Sequence, residues 1–123
     1  MVLRTEMRIL GDLVVLHCRG RLVIGGEIAG FREEVEKLLT EKHGVVLDLS
    51  DIEHIDSIGL AALVGLFTGA SREKREIRLA CSRHVTDLLR RTRLDKVFTF
   101  YTSEQEAIAS FPGTEIPSVK PQA

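Results

Sequence analysis

Val45-Val46-Leu47-Asp48-Leu49-Ser50, which runs through Asp51-Ile52-Glu53-His54 into Ile55-Asp56-Ser57-Ile58-Gly59-Leu60, is the stretch on which the fold turns. Its first half is almost wholly apolar, as expected of a strand covered on both faces inside a parallel sheet. The acidic segment from Ser50 to Asp56 reads as a loop that delivers Ser57 to the start of a helix. Serine is among the best residues for satisfying orphan helix amides, so Ser57 is expected to be the N-cap. The helix that follows carries Leu60, Leu63, Val64 and Phe67 at core spacing. Opposite them stand Ile58, Ala62, Gly65 and Gly69, with Ala61 and Leu66 beside them. A solvated helix face normally carries Lys, Glu or Arg, and this one has none. Either another layer covers that face or it is a flat apolar surface for a partner.

On the N-terminal side, Met7-Arg8-Ile9-Leu10 and Leu13-Val14-Val15-Leu16-His17-Cys18 flank Gly11-Asp12, which predicts two strands joined by a tight turn. Gly20 to Gly26 reads as a loop. From Glu27 the period becomes helical, with Ile28, Phe31, Val35, Leu38 and Leu39 on one face and Gly44 as the terminating C′ glycine. On the C-terminal side, Ile77 to Cys81 is a further strand, and Ser82 caps a helix bearing Val85, Leu88 and Leu89. Arg90, Arg91 and Arg93 lie towards its end, where the dipole favours cations. Val97 to Tyr101 reads as a last strand, and Ser103-Glu104-Gln105-Glu106 as a capping box opening a final helix through Phe111. A hairpin followed by strands alternating with helices implies an α/β domain with a mixed, mostly parallel sheet of about four or five strands and about four helices. Residues 1–111 form that domain, and residues 112–123, rich in proline, form a flexible tail.

Composition narrows the function. Hydrophobic residues make up 44% and charged residues 28%, with a net charge of −1, so no global field favours nucleic acid or an anionic membrane. The N-terminus meets a charge at once, and the longest uncharged run, Ser57 to Ser71, is too short to span a bilayer. A soluble cytoplasmic protein is expected. Cys18 and Cys81 lie within apolar runs and read as buried free thiols.

No motif points to catalysis. Asp48, Asp51, Glu53 and Asp56 lack calcium-loop spacing, and His17, His43 and His84 are scattered, so neither a metal site nor a catalytic triad is expected. His54 reads as an exposed loop residue. Ser57 is not in a Gly-x-Ser-x-Gly setting, which disfavours a nucleophilic serine. Gly25-Gly26 precedes a helix, but two glycines without a lysine or P-loop frame do not make a phosphate cradle. Their loop should leave the carboxyl end of a strand, where open α/β sheets gather ligands, and so sit at the rim of the Ser57 surface.

At these residues the chain resembles the STAS domain family, and most closely the bacterial anti-sigma factor antagonists. The likeness spans residues 4 to 111 and rests on Leu47-Asp48-Leu49-Ser50 with Ile55-Asp56-Ser57-Ile58-Gly59-Leu60. Gly20-Arg21-Leu22, Leu88-Leu89, Leu94, Val97-Phe98 and Ser103-Glu104-Gln105-Glu106-Ala107 support it. The resemblance implies a non-enzymatic protein with no cofactor or metal of its own. Ser57 occupies the position of the serine phosphorylated by a cognate kinase that is also the anti-sigma factor. Unphosphorylated, such an antagonist captures the anti-sigma factor and frees a sigma factor, and a PP2C-type phosphatase resets it. The family often has a second hydroxyl residue after the phosphoacceptor; here that residue is Ile58, which leaves Ser57 as the single acceptor. The implied partner surface comprises Asp56, Ile58, Gly59, Ala61, Ala62, Gly65 and Leu66, with Gly25 and Gly26 at its rim. No direct nucleic-acid contact and no membrane insertion are expected, and the chain should be a monomer or weak homodimer. The alternative is a non-switching STAS subunit of a signalling or lipid-transport assembly, in which Ser57 only caps its helix.

Overall fold

The computed structural model describes residues 3–112. The elements follow in the order β1 (Leu3–Leu10), β2 (Leu13–Leu22), α1 (Gly26–Glu41), β3 (Gly44–Ile55), α2 (Ser57–Arg72), β4 (Glu76–Ala80), α3 (Arg83–Arg91), β5 (Phe100–Tyr101) and α4 (Glu104–Ala109). The five strands lie side by side in chain order. β1 and β2 form an antiparallel hairpin, and β2, β3, β4 and β5 run parallel. At the hairpin turn Gly11 has φ +65° and Asp12 stays negative, the sign pattern of a II′ turn that glycine fills without strain.

The central position of β3 explains its composition. Residues from Gly44 to Leu49 are all buried, because helices cover both faces of the sheet there. Parallel crossovers of one hand between consecutive strands bring α1 and α2 to the same face. There their apolar residues and those of α3 join Val14, Leu16, Val45, Leu47, Leu79 and others in one core. The opposite face is closed by α4, whose Ala107 and Ile108, with Phe111, pack on Leu13, Val15, Val46 and Ala80.

Three expectations change. The segments read as loops before Gly26 and after Leu49 are largely strand, since β2 continues to Leu22 and β3 to Ile55. They pair as Arg19↔Asp51, Gly20↔Ile52, Arg21↔His54 and Leu22↔Ile55, with two register irregularities. The polar residues misled the reading because this end of the sheet is open to water. Ile52 and Ile55 are buried while Asp51, Glu53 and His54 are exposed.

Gly44 does not end α1. Lys42 caps that helix, donating its N–H to Leu38 O at 2.9 Å, and Gly44 opens β3. A Cβ there would run into the Phe111 ring and lie 3.2 Å from Leu13 Cδ1, so close packing, not backbone φ, demands glycine. The expected strand over Val97–Tyr101 shrinks to Phe100–Tyr101. Val97 and Phe98 instead turn back on Leu94 O, and Phe98 is buried edge-on against Phe67 with ring centroids 5.3 Å apart. Residues 113–123, which hold nearly all of the expected tail, lie outside the described residues.

Candidate functional site

Where β3 runs out, Asp56 converts strand into helix. Its extended backbone ends the strand, and its Oδ1 accepts the Gly59 N–H at 2.9 Å, which caps α2. Ser57 is therefore not the cap that its residue type suggests. It is the first residue of α2, it is exposed, and its hydroxyl has no hydrogen-bond partner among the described residues. An aspartate accepts from the same amides as well as a serine does, so residue type alone does not choose between the two neighbours.

Asp56 also holds a second segment. Its Oδ2 accepts the Ile24 N–H at 2.8 Å, and its own N–H donates to Leu22 O at 3.1 Å. The end of β2, the loop into α1 and the start of α2 are thus stitched through one residue. The N–H groups of Ile24 and Gly59 keep the Asp56 carboxyl below the usual carboxylate range, so it stays ionised at neutral pH. Gly59 completes the junction, because a Cβ there would overlap the Leu22 carbonyl and lie 3.1 Å from Ile55 Cγ2.

The apolar surface beside Ser57 differs from the sequence expectation. Ala62 and Leu66 are buried, and Gly59 is buried in the β2–β3 junction, so these three do not face a partner. α1 covers the face read as the outer one. Gly65 lies half-buried beneath the Arg32 guanidinium, and Gly69 lines a groove of about 560 Å³ between α1 and the C-terminal half of α2. Leu60, Val64 and Phe67, assigned to the core, are half-buried at its margin. A helix that is apolar on nearly every side has no polar stripe to set its rotation, so periodicity could not phase it.

What remains around Ser57 is compact: Ile58, 44% exposed, Ala61, and Ile24, 72% exposed. Ile24 was missed. The signal available was a large apolar residue directly before Gly25-Gly26, in a segment otherwise read as loop. Gly25 has φ +147°, a conformation that side chains rarely adopt, and it occupies the N-cap of α1, with Gly26 as the first helical residue. The two glycines therefore shape the rim and present Ile24. The site amounts to an exposed hydroxyl at a positive helix end, with Ile58 next in sequence and Ile24 joined to the same junction through Asp56. No histidine is hydrogen-bonded to Ser57 among the described residues.

A second polar cluster lies on the α4 face, and it joins residues that the sequence shows far apart. His17 Nδ1 meets Asp48 Oδ2 at 2.9 Å and His17 Nε2 meets Asp51 Oδ2 at 2.8 Å. Glu104 faces Asp48 from α4 and is paired to Arg8. His17, Asp48 and Glu104 bring donor atoms within 4.8 Å of one another, a set suited in kind to a divalent cation. Both ring nitrogens are already engaged by carboxylates, and Arg8 takes an oxygen of Glu104, so the side chains of the cluster are occupied with one another.

Burial would lower the His17 pKa, but the hydrogen bonds and charges of Asp48 and Asp51 outweigh it and raise it above the ordinary histidine value. A raised histidine contributes stability that is fully present below about pH 6.5 and is lost as pH rises through the folded-state pKa. Chemical denaturation at a series of pH values is therefore expected to show this contribution falling as pH rises past about 6.5. His17→Phe should flatten that decline, and an unchanged slope would contradict the assignment.

The comparisons with known proteins agree with this fold. The family model for the STAS domain matches residues 4–107. An anti-sigma factor antagonist from Mycobacterium paratuberculosis has a similar fold, with a TM-score of 0.75 and 19% identity over 88% of this chain and 92% of its own. TM1081 of Thermotoga maritima, whose assignment as an anti-sigma factor antagonist is provisional, matches with a TM-score of 0.75 and 27% identity over 85% of this chain and 92% of its own. The phosphorylated form of the Bacillus cell fate determinant SpoIIAA gives a TM-score of 0.66 at 14% identity, over 86% and 97%. Among the described residues no helix is long and apolar enough to cross a membrane.

Proposed function

The chain belongs to the STAS domain family, and from that premise we propose that it is an anti-sigma factor antagonist switched by phosphorylation of Ser57. The observation that carries this reading is the freedom of the Ser57 hydroxyl. It is exposed, without a hydrogen-bond partner among the described residues, and relieved of capping by Asp56. A serine kept only to stabilise the helix would have been expected in the capping position. SpoIIAA, a relative in fold, is known in unphosphorylated and phosphorylated forms, which supports the same assignment here.

In this mechanism the unmodified Ser57 surface, with Ile24, Ile58 and Ala61, docks on an anti-sigma factor that is also a serine kinase, and a sigma factor is released. The kinase supplies ATP, magnesium and the base. Ser57 Oγ attacks the γ-phosphorus, its bond to phosphorus forms as the β–γ bridge breaks, ADP leaves, and the serine proton passes to the kinase base. A PP2C-type phosphatase hydrolyses the ester and restores the hydroxyl. The antagonist contributes position alone, and the work of holding that position falls to Asp56 and Gly59.

Incubation with the serine kinases of the source organism and ATP, followed by phosphosite mapping by mass spectrometry, tests the assignment. Phosphate is expected on Ser57. Modification of another residue while Ser57 stays bare would overturn it and leave a non-switching STAS module as the better reading.

A further inference from the structure

The two edges of the sheet are unlike. β5 is two residues long and lies beside α4, so it offers little ladder to another chain. β1 is eight residues long, pairs with β2 without a register shift, and has no strand on its outer side among the described residues. Long, regular, unpaired edges are rare in monomers because their free N–H and C=O groups template pairing. The side chains of β1 add to this. Met7 and Ile9, opposite Leu16 and Val14, point to the helix-covered face of the sheet yet remain 53% and 56% exposed. Of the large hydrophobic residues on the described surface, only Ile24 is more exposed.

We propose that β1 is the homodimer interface of this protein, pairing antiparallel with β1 of a second copy about a two-fold axis at Met7. The register follows from charge. Outward backbone groups recur on every second residue, so a symmetric antiparallel pair can only be centred on a residue. Centring on Glu6 would place Glu6 against Glu6 and Arg4 against Arg8. Centring on Arg8 would place Arg8 against Arg8. Like charges directly opposite are destabilising. Centring on Met7 sets Glu6 of each copy against Arg8 of the other, Met7 against Met7 and Ile9 against Thr5.

Centring on Thr5 also pairs opposite charges, Arg4 with Glu6, but leaves Ile9 uncovered. The Met7 register alone covers all four exposed apolar side chains and pairs Glu6 with Arg8 on the other face. Arg8 reaches Glu104 in the single chain but is mostly exposed, so its guanidinium remains available to both carboxylates. The charged residues, which on an edge usually repel a second strand, here alternate in an order that is complementary to itself. Because β1 lies one strand beyond β2, the two Ser57 surfaces stay separate from this interface.

Sedimentation of the full chain over a concentration series reads the association. A monomer–dimer equilibrium is expected, and Met7→Lys should raise its midpoint by about tenfold or more with circular dichroism unchanged. Arg8→Glu should weaken the dimer, and the exchange Glu6→Arg with Arg8→Glu should recover it, although both variants lose the Glu104 contact. Oxidative trapping reads the register. Met7→Cys should cross-link with itself, and Thr5→Cys should cross-link with Ile9→Cys in a mixture, whereas Ile9→Cys alone should not. The native thiols Cys18 and Cys81 are buried and stay out of the reaction. A chain that is monomeric at every concentration, a dimer indifferent to Met7→Lys, or another cross-linking pattern would overturn the proposal. So would a monomer that dimerises only after removal of residues 113–123, because the chain's own end would then be the occupant.

Discussion

Ser57→Asp is expected to weaken the complex with the anti-sigma partner by about thirtyfold to several thousandfold while leaving the fold intact. The two halves of that expectation have different origins. At a docked interface a charge left without a partner costs about 2–5 kcal/mol, and each 1.4 kcal/mol is about tenfold in affinity. Exposed Ile58 follows Ser57, exposed Ile24 is tied through its N–H to Asp56, and the ionised Asp56 immediately precedes the serine. Within the isolated domain the same charge meets opposing local effects. The N-terminus of α2 favours an anion by about 0.3–1 kcal/mol, and Asp56 opposes it.

Titration calorimetry against the kinase that modifies Ser57, with circular dichroism of the same variant, separates the two. An aspartate variant that binds as tightly as the parent would show that charge is not the signal. One that loses its structure would show that the switch acts through unfolding. Ser57→Ala is the control. Since Asp56 is the cap, that change should alter stability by less than about 0.5 kcal/mol, whereas loss of a true cap costs about 1 kcal/mol.

Gly59→Ala should be the most damaging small substitution in α2, costing about 3 kcal/mol or more. A methyl group forced into a packed site typically costs about 1–3 kcal/mol, and most of that range assumes that side chains can move aside. Here the obstacle is the Leu22 carbonyl, part of a backbone held by pairing with Ile55 and by the next residue's N–H, that of Asp56, which the carbonyl accepts. Making room for the methyl group means parting β2 from α2, which also stretches the bond from Ile24 N–H to Asp56. Partner binding should therefore fall along with stability.

Gly69→Ala, three turns away in the same helix, has nothing within 4 Å of its new Cβ. It should stabilise the domain by about 0.5–1 kcal/mol, the ordinary gain of alanine over glycine in a helix. Urea denaturation measures both. Equal effects at the two positions would mean that the close approach at Gly59 does not exist.

Those two glycines, alike in residue type and on one helix, illustrate which features of this chain were readable from its residues. Element type and order followed from patterns that belong to one segment. The apolar run at Val45 could only be a doubly covered strand, the helical period after Glu27 placed Ile28, Phe31, Val35, Leu38 and Leu39 in the core, and Ser82 and Ser103 cap as their positions suggest. From those local facts the mixed α/β sheet and the position of Ser57 at a strand-to-helix junction were legible.

Features that depend on two segments meeting were not. The rotation of α2 is set by α1, because an all-apolar helix carries no phase of its own; hence Ala62 and Leu66 are core while Ile58 and Ala61 are surface. The choice between Asp56 and Ser57 as cap was decided by the Ile24 amide, which rewards a second carboxylate oxygen that serine lacks. Ile24 joined the site because Asp56 anchors its loop, and His17 found Asp48 and Asp51 through the parallel register of β2 and β3. Local hydrophobic patterns and capping chemistry determine what each segment is, since those preferences act over a few residues. Which faces remain for a partner is decided by packing, since burial is a property of two surfaces and is written in neither alone.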